Sequence, residues 1–257
     1  MRDLTYPPII VAAKTAFKLL DLTFKITGDE HVPSSGGAVL AVNHISYVDF
    51  IFGGFATQRS KRLVRFMSKR ELFDHTYTGP LMRSLHHIRV DREDGTGSYH
   101  TGLDYLADGE VVGVFPEATI SRSFELKGFK TGTVRLAAEA GVPIIPLILW
   151  GTQRMYTKDH PRDFSRGKTL SLTIGEPLIV TTEDNAVAQT ARLRSQMTEM
   201  LSRTIREYPD HEDGAWWVPR AYGGTAPTLE EADRLDAQEK RRRAEERRAI
   251  RQQHKGR

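Results

Sequence analysis

Apolar and polar positions along this chain follow two rhythms. Short, nearly continuous apolar runs recur through its middle: "AVLAV" (38–42), "RLVRFMS" (62–68), "HIRV" (87–90), "EVVGVF" (110–115), "PIIPLILW" (143–150) and "LSLTIG" (170–175). Runs this short, rich in Val, Ile and Leu and bounded by turn residues, read as strands buried on both faces. Between several of them the period lengthens to that of a helix, as in "GSYHTGLDYLADG" and "TGTVRLAAEAG", and Gly141 stands where a helix C-cap is wanted. The alternation predicts an α/β fold, with a mostly parallel central sheet covered by helices on both faces. A later segment, "AVAQTARLRSQMTEMLSRTIREY", has the pattern of a long amphipathic helix.

The two ends differ from the middle. In "PPIIVAAKTAFKLLDLTFKI", Lys14, Lys18, Asp21 and Lys25 form one polar stripe, and Ile10, Ala13, Phe17, Leu20 and Phe24 fall on the other side. Residues 1–27 therefore read as an N-terminal amphipathic helix, either packed on the domain or lying in a membrane interface. "LTFKITG" within it also fits a strand entering a turn. At the other end "PTLEEADRLDAQEKRRRAEERRAIRQQ" is polar almost all round, and Thr228 with Glu231 has the form of a capping box. It predicts a solvated charged helix or tail within an extension spanning 216–257, leaving 28–215 as the central domain.

Charge sharpens that division. The 257-residue chain carries a formal +4, yet residues 238–257 alone hold nine Lys and Arg against three Glu. The basic character thus belongs to the tail, which suits an anionic membrane surface and gives no reason to expect nucleic-acid binding by the core. The absence of cysteine excludes disulfides, thiol catalysis and Cys-ligated zinc. No apolar run is long enough to span a bilayer, and no signal-peptide pattern opens the chain.

Candidate chemistry begins at "AVNHISYVDF", where His44 precedes Asp49 by five positions. With nine His and sixteen Asp in the chain, about half a chance match to this spacing is expected, so spacing alone decides nothing. A second match, His86 and Asp91 in "HHIRVDR", brackets a predicted strand, which would hold the pair roughly 16 Å apart on opposite faces. The first match instead follows a strand, where open α/β sheets bind ligands, and "SYVD" has the form of a capping box. Asp49 can be a first-turn cap, or it can fold back onto His44 as the carboxylate partner of a base. "VVGVFPEATISRS" ends another strand with Glu117, Thr119, Arg122 and Ser123, and further strand ends bring Lys69 and Arg92. Cations gathered at the edge that carries His44 suit a small anionic group such as a phosphate.

Taken in order, "NHISYVD", "IRVDR", "FPEATISRS" and "VPIIPL" resemble the four motif blocks of the glycerolipid acyltransferases, nearest to the 1-acylglycerol-3-phosphate acyltransferase type, over roughly residues 28–180. The resemblance implies an α/β domain at a membrane surface that moves a fatty acyl group from a thioester to a glycerolipid hydroxyl. It makes His44 the base and Asp49 its orienter, and it places Arg92, with Lys69 or Arg122, on the acceptor phosphate. Asn43, Glu117, Thr119 and Pro146 would shape the substrate site. No metal and no cofactor are called for. Acyl-CoA or acyl carrier protein would be co-substrate and lysophosphatidic acid the acceptor, at the cytoplasmic face of the cell membrane. The third block departs from the family's Phe-Pro-Glu-Gly-Thr-Arg-Ser: Ala118 replaces the glycine, and Ile120-Ser121 precede Arg122-Ser123. Either Arg122 keeps its role from a shifted position or Ser121 and Thr119 line the site instead.

Overall fold

The computed structural model describes residues 4–91 and 95–255, with side chains as far as residue 246. Its strands are β1 (Thr23–Thr27), β2 (Ala38–Val42), β3 (Val64–Lys69), β4 (Ile88–Val90), β5 (Val111–Val114), β6 (Ile144–Trp150) and β7 (Thr169–Ile174). The helices are α1 (Tyr6–Leu19), α2 (Asp49–Ala56), α3 (Arg70–Asp74), α4 (Thr78–Ser84), α5 (Gly95–Ala107), α6 (Gly132–Ala140), α7 (Ala186–Arg206) and α8 (Leu229–Lys255). The strands form one sheet in the order β1-β7-β6-β2-β5-β3-β4. Every pairing is parallel except that of β6 with β7. Strands β2, β3, β4, β5 and β6 therefore end on one edge of the sheet.

Both faces are covered, which is why the strands read as apolar runs without polar alternation. Val39, Ala41, Val112, Ile144 and Ile148 pack on one face with Leu136 of α6 and Leu193 and Met197 of α7. Leu40, Val42, Phe66, Ile145 and Leu147 pack on the other with Phe17 of α1 and Phe52 of α2. A Cβ built on Gly53 would stand 2.8 Å from the Phe66 ring, so glycine lets α2 lie close against β3. Gly141 caps α6 in the left-handed conformation, with φ of 64°. The Thr228–Glu231 capping box also forms, with Thr228 N–H donating to Glu231 at 2.8 Å and Glu231 N–H donating to Thr228 Oγ1 at 3.2 Å.

Both expected domain boundaries move. The N-terminal helix stops at Leu19 instead of running to residue 27. Asp21 then turns the chain with φ of 51°, and β1 pairs with β7 from Thr23↔Thr169 to Thr27↔Thr173. Phe24 and Lys25 lie on that strand, the alternative that "LTFKITG" offered to the helix, because backbone pairing with β7 outweighs the weak helical period at the end of the segment. At the far end, Ala215, Trp217, Val218 and Ala226 are buried in the same core as Trp150 and Tyr208. Their apolar bulk needs the shelter of the α/β domain, so any separate extension begins with α8.

Candidate active site

His44 stands two residues beyond β2, where the chain leaves the sheet. The residue before it sets its height. Asn43 is fully buried, donates Nδ2–H to the carbonyl of Leu149 at 3.0 Å and accepts the Leu149 N–H at 2.7 Å. Its amide extends the β2–β6 pairing by one rung, so Asn43 shapes the site through the scaffold that carries His44.

The imidazole then meets Asp49. His44 Nδ1 lies 3.0 Å from Asp49 Oδ2, and the same oxygen accepts the N–H groups of Ile45 and Ser46, each at 2.7 Å. Asp49 Oδ1 accepts from Thr152 Oγ1 at 2.7 Å, and the whole carboxylate is buried. Four donors fill the acceptor capacity of a carboxylate. With Nδ1 as donor, a neutral His44 carries its lone pair on Nε2. No hydrogen bond from the described residues occupies Nε2, and the side chain is 20% exposed. Phe115 stacks on the ring, centroid to centroid at 4.1 Å. Only part of the expected capping box forms: Asp49 reaches back to Ser46 N–H, while Ser46 Oγ accepts from Val48 and donates to the Tyr156 carbonyl.

Glu117 holds the loop from the opposite side. One carboxyl oxygen accepts the His44 N–H and the other the Lys127 N–H, both at 2.9 Å. Burial pushes its pKa up to about 7, against the two backbone N–H groups that favour the charged form. Beside it Ala118 has φ of 57°, the left-handed conformation for which glycine is suited. The Ser121 N–H then donates to the His44 carbonyl at 2.8 Å.

The expected anion-binding residues have different fates. Arg92 lies outside the described residues. Lys69, at the exposed end of β3, is near enough for its charge to act on Lys158. Arg122 is nearly buried, and its guanidinium is already held by Asp159 at 2.5 Å, by Glu239 at 2.9 Å and by Asp236. Thr119 accepts from Lys158 Nζ at 3.3 Å. Pro146 lies in the sheet itself. It is buried in mid-strand of β6, opposite Ala41 of β2, and its ring crowds Gly175 where β7 leaves the ladder. Its part is to fit a strand position that lacks an N–H donor.

Sequence reasoning missed Thr152, Phe115, Tyr156 and Lys158. Each follows a strand that ends on the His44 edge, and that placement was the available signal. At the second spacing match β4 (Ile88–Val90) lies between His86 and Asp91, and the Asp91 carboxylate accepts from Arg70 at 2.8 Å. The rings of Phe52 and Phe55 meet those of Phe17 and Phe24 and pack the core, and Phe50 is 38% exposed.

A family model described as Acyltransferase matches residues 23–150, from β1 to the end of β6. The 1-acyl-sn-glycerol-3-phosphate acyltransferase of Bacillus subtilis is 32% identical over 190 residues, covering 74% of this chain and 89% of that protein. The enzyme of the same name from Limnanthes douglasii is 30% identical over 141 residues, covering 53% of this chain and 48% of its own. Among solved structures, the 1-acyl-sn-glycerophosphate (LPA) acyltransferase PlsC of Thermotoga maritima matches with a TM-score of 0.67 and 22% identity, over 79% of this chain and 80% of that one. That likeness supports the fold.

Proposed function

The chain belongs to the glycerolipid acyltransferase family, and from that premise we propose that it transfers a fatty acyl group from acyl-CoA or acyl carrier protein to the free hydroxyl of 1-acylglycerol 3-phosphate, giving phosphatidic acid. The observation that carries the reading is the His44–Asp49 pair, whose nitrogen opposite Asp49 has no hydrogen bond from the described residues at the sheet edge.

In this reading His44 Nε2 accepts the proton of the acceptor hydroxyl while that oxygen bonds to the thioester carbonyl carbon. Asp49 fixes the tautomer and stabilises the imidazolium that forms. Collapse of the tetrahedral intermediate breaks the C–S bond, and the proton on His44 passes to the departing thiolate. The products are an ester and a free thiol. No side-chain nucleophile is required, because the acceptor oxygen takes that part. Thr152 and the N–H groups of Ile45 and Ser46 hold Asp49, and Glu117 holds the His44 backbone, so the base is oriented before substrate arrives. Arg92, Lys69, Arg122 and Lys158 are the cations proposed to receive the acceptor phosphate.

A membrane surface is the proposed setting, on its cytoplasmic side. Leu4, Val11 and Leu19 are exposed along one stripe of the N-terminal segment, with Lys14 and Lys18 beside it, and no described helix is long and apolar enough to cross a membrane. Such a face suits a helix lying in the headgroup region.

The reading is tested by incubating the purified protein with acyl-CoA or acyl carrier protein thioesters and a panel of lyso-acceptors, following thiol release and the lipid formed. Phosphatidic acid should appear with lysophosphatidic acid as acceptor. Thiol release that ignores the acceptor would contradict acyl transfer.

A further inference from the structure

The cations nearest the His44 loop are not open to solvent; α8 covers them. Asp236 takes Arg122, Lys127 at 2.5 Å and Lys158 at 2.9 Å. Glu239 takes Arg122 at 2.9 Å and Lys158 at 3.4 Å, and Asp233 adds a contact of 2.8 Å to Lys127. Arg122, Lys127 and Lys158 come from two loops that also fix the candidate base. Ser121, next to Arg122, bonds the His44 carbonyl, and Thr157, next to Lys158, donates to the Ile45 carbonyl at 2.7 Å. Burial is the main influence raising the Tyr47 phenol pKa, and the charge of Glu239 adds to it, which sets α8 close to the residue three places after His44.

The way α8 is held is unusual for a helix packed on a domain. From Asp233 to Glu246 every residue is exposed except Asp236 and Glu239. Leu235, the large apolar residue of this stretch, is 39% exposed. From Asp233 to Glu246 the described side chains thus form no apolar seam, and ion pairs fasten this stretch. Pairs this sheltered are screened little by salt, but an anion of matching charge can take the place of the carboxylate partner. Asp236 and Glu239, each shared by at least two of these cations, match what a phosphomonoester presents, a charge of about −1.5 to −2 on several acceptor oxygens, while Asp233 and Asp159 add a further carboxylate to Lys127 and Arg122.

We propose that Asp236 and Glu239 of α8 form a carboxylate latch seated in an anion site made by Arg122, Lys127 and Lys158, and that the phosphate of the acceptor must displace this latch to bind. The inference rests on the phosphorylated acceptor proposed above. Burial and the neighbouring Arg122 charge bring Lys158 down to about 8, as expected for a cation crowded against another. The α8 carboxylates occupy this site in the structure, and opening it consists of exchanging one set of oxygens for another.

Amide hydrogen exchange of the full chain, at constant ionic strength, reads the latch directly. Residues 233–246 should exchange at least tenfold faster with lysophosphatidic acid than with monoacylglycerol. Acceleration by inorganic phosphate as well would show that the headgroup alone suffices. Acceleration by lysophosphatidic acid only would show that the acyl tail must deliver it. Either result supports the latch, and no change with any phosphate overturns it. In parallel, Asp236→Asn/Glu239→Gln should lower the acceptor KM about tenfold with little change in kcat. An unchanged KM in a folded double variant would overturn the latch as well. If α8 exchange responds to phosphate while wild-type protein transfers no acyl group, the latch stands and the acyltransferase reading falls. Normal turnover with unresponsive α8 removes the latch alone.

Discussion

One oxygen of Asp49 both caps and orients: Oδ2 lies 3.0 Å from His44 Nδ1 and 2.7 Å from the N–H groups of Ile45 and Ser46. The turn that begins α2 and the tautomer of the imidazole therefore depend on the same carboxylate. An amide there must turn its NH2 group toward Thr152 or toward the donors around Oδ2. Asp49→Asn should accordingly lower kcat by roughly 10²–10⁴, by analogy with loss of the acid member of a triad, with acceptor KM less affected. Steady-state thiol release measures this; a rate within threefold of wild type would contradict an orienting role.

Glu117 gives stability a pH dependence of defined sign. Burial raises its pKa from 4.5 to about 7 in the folded chain, so between those values the folded state holds a proton that the unfolded state has released. Its contribution is full below pH 4.5 and is lost as pH rises to about 7, at up to about 1.4 kcal/mol per pH unit. Urea unfolding of wild type and Glu117→Gln across that range should show the wild-type advantage shrinking as pH rises. A constant difference would contradict the raised value.

Ala118 occupies a left-handed position where its Cβ is unfavourable by about 1–2 kcal/mol. Ala118→Gly relieves that strain but adds freedom to the unfolded chain worth about 0.5–1 kcal/mol. The net effect should be a gain of up to about 1 kcal/mol, read as a higher urea midpoint with unchanged slope. A loss of stability would show that the turn is not strained.

The exposed apolar stripe of the N-terminal helix predicts how the protein meets lipid. Val11→Glu/Leu19→Glu removes two side chains that the described fold leaves in solvent, so thermal unfolding should barely change. Co-sedimentation with phosphatidylglycerol vesicles should fall at least tenfold, the effect of losing about 1.4 kcal/mol of interfacial burial. Equal sedimentation of the double variant would assign membrane attachment to another surface.

Strand positions and the parallel sheet were legible because buried strands announce themselves as Val- and Ile-rich runs, and both boundary errors arose where that signal fades. Phe24 fits a helical stripe as well as a strand, and pairing with β7, over 140 residues away, decides between them. Trp217 and Val218 fall after a charged stretch, and their burial depends on a distant partner, Trp150. At the site, local chain geometry left two readings of Asp49 open, as a cap or as the partner of His44, and in the structure the carboxylate does both. Asn43 and Pro146 act within the β2–β6 ladder, which hydrogen-bond direction and register show and spacing does not carry. Thr152 and the carboxylates of α8 come from remote segments, and the acidic face of α8, with Asp233, Asp236 and Glu239 at intervals of three, finds its meaning only against Arg122 and Lys158.

The central claim is that His44 acts as the base in acyl transfer to a phosphorylated glycerolipid. Thiol release by His44→Ala, with acyl thioester and lysophosphatidic acid at saturating concentrations, tests it most directly, with circular dichroism confirming the fold. A fall of roughly 10²–10⁴ in kcat is expected when a positioned base is removed. Turnover within threefold of wild type in that folded variant would contradict it.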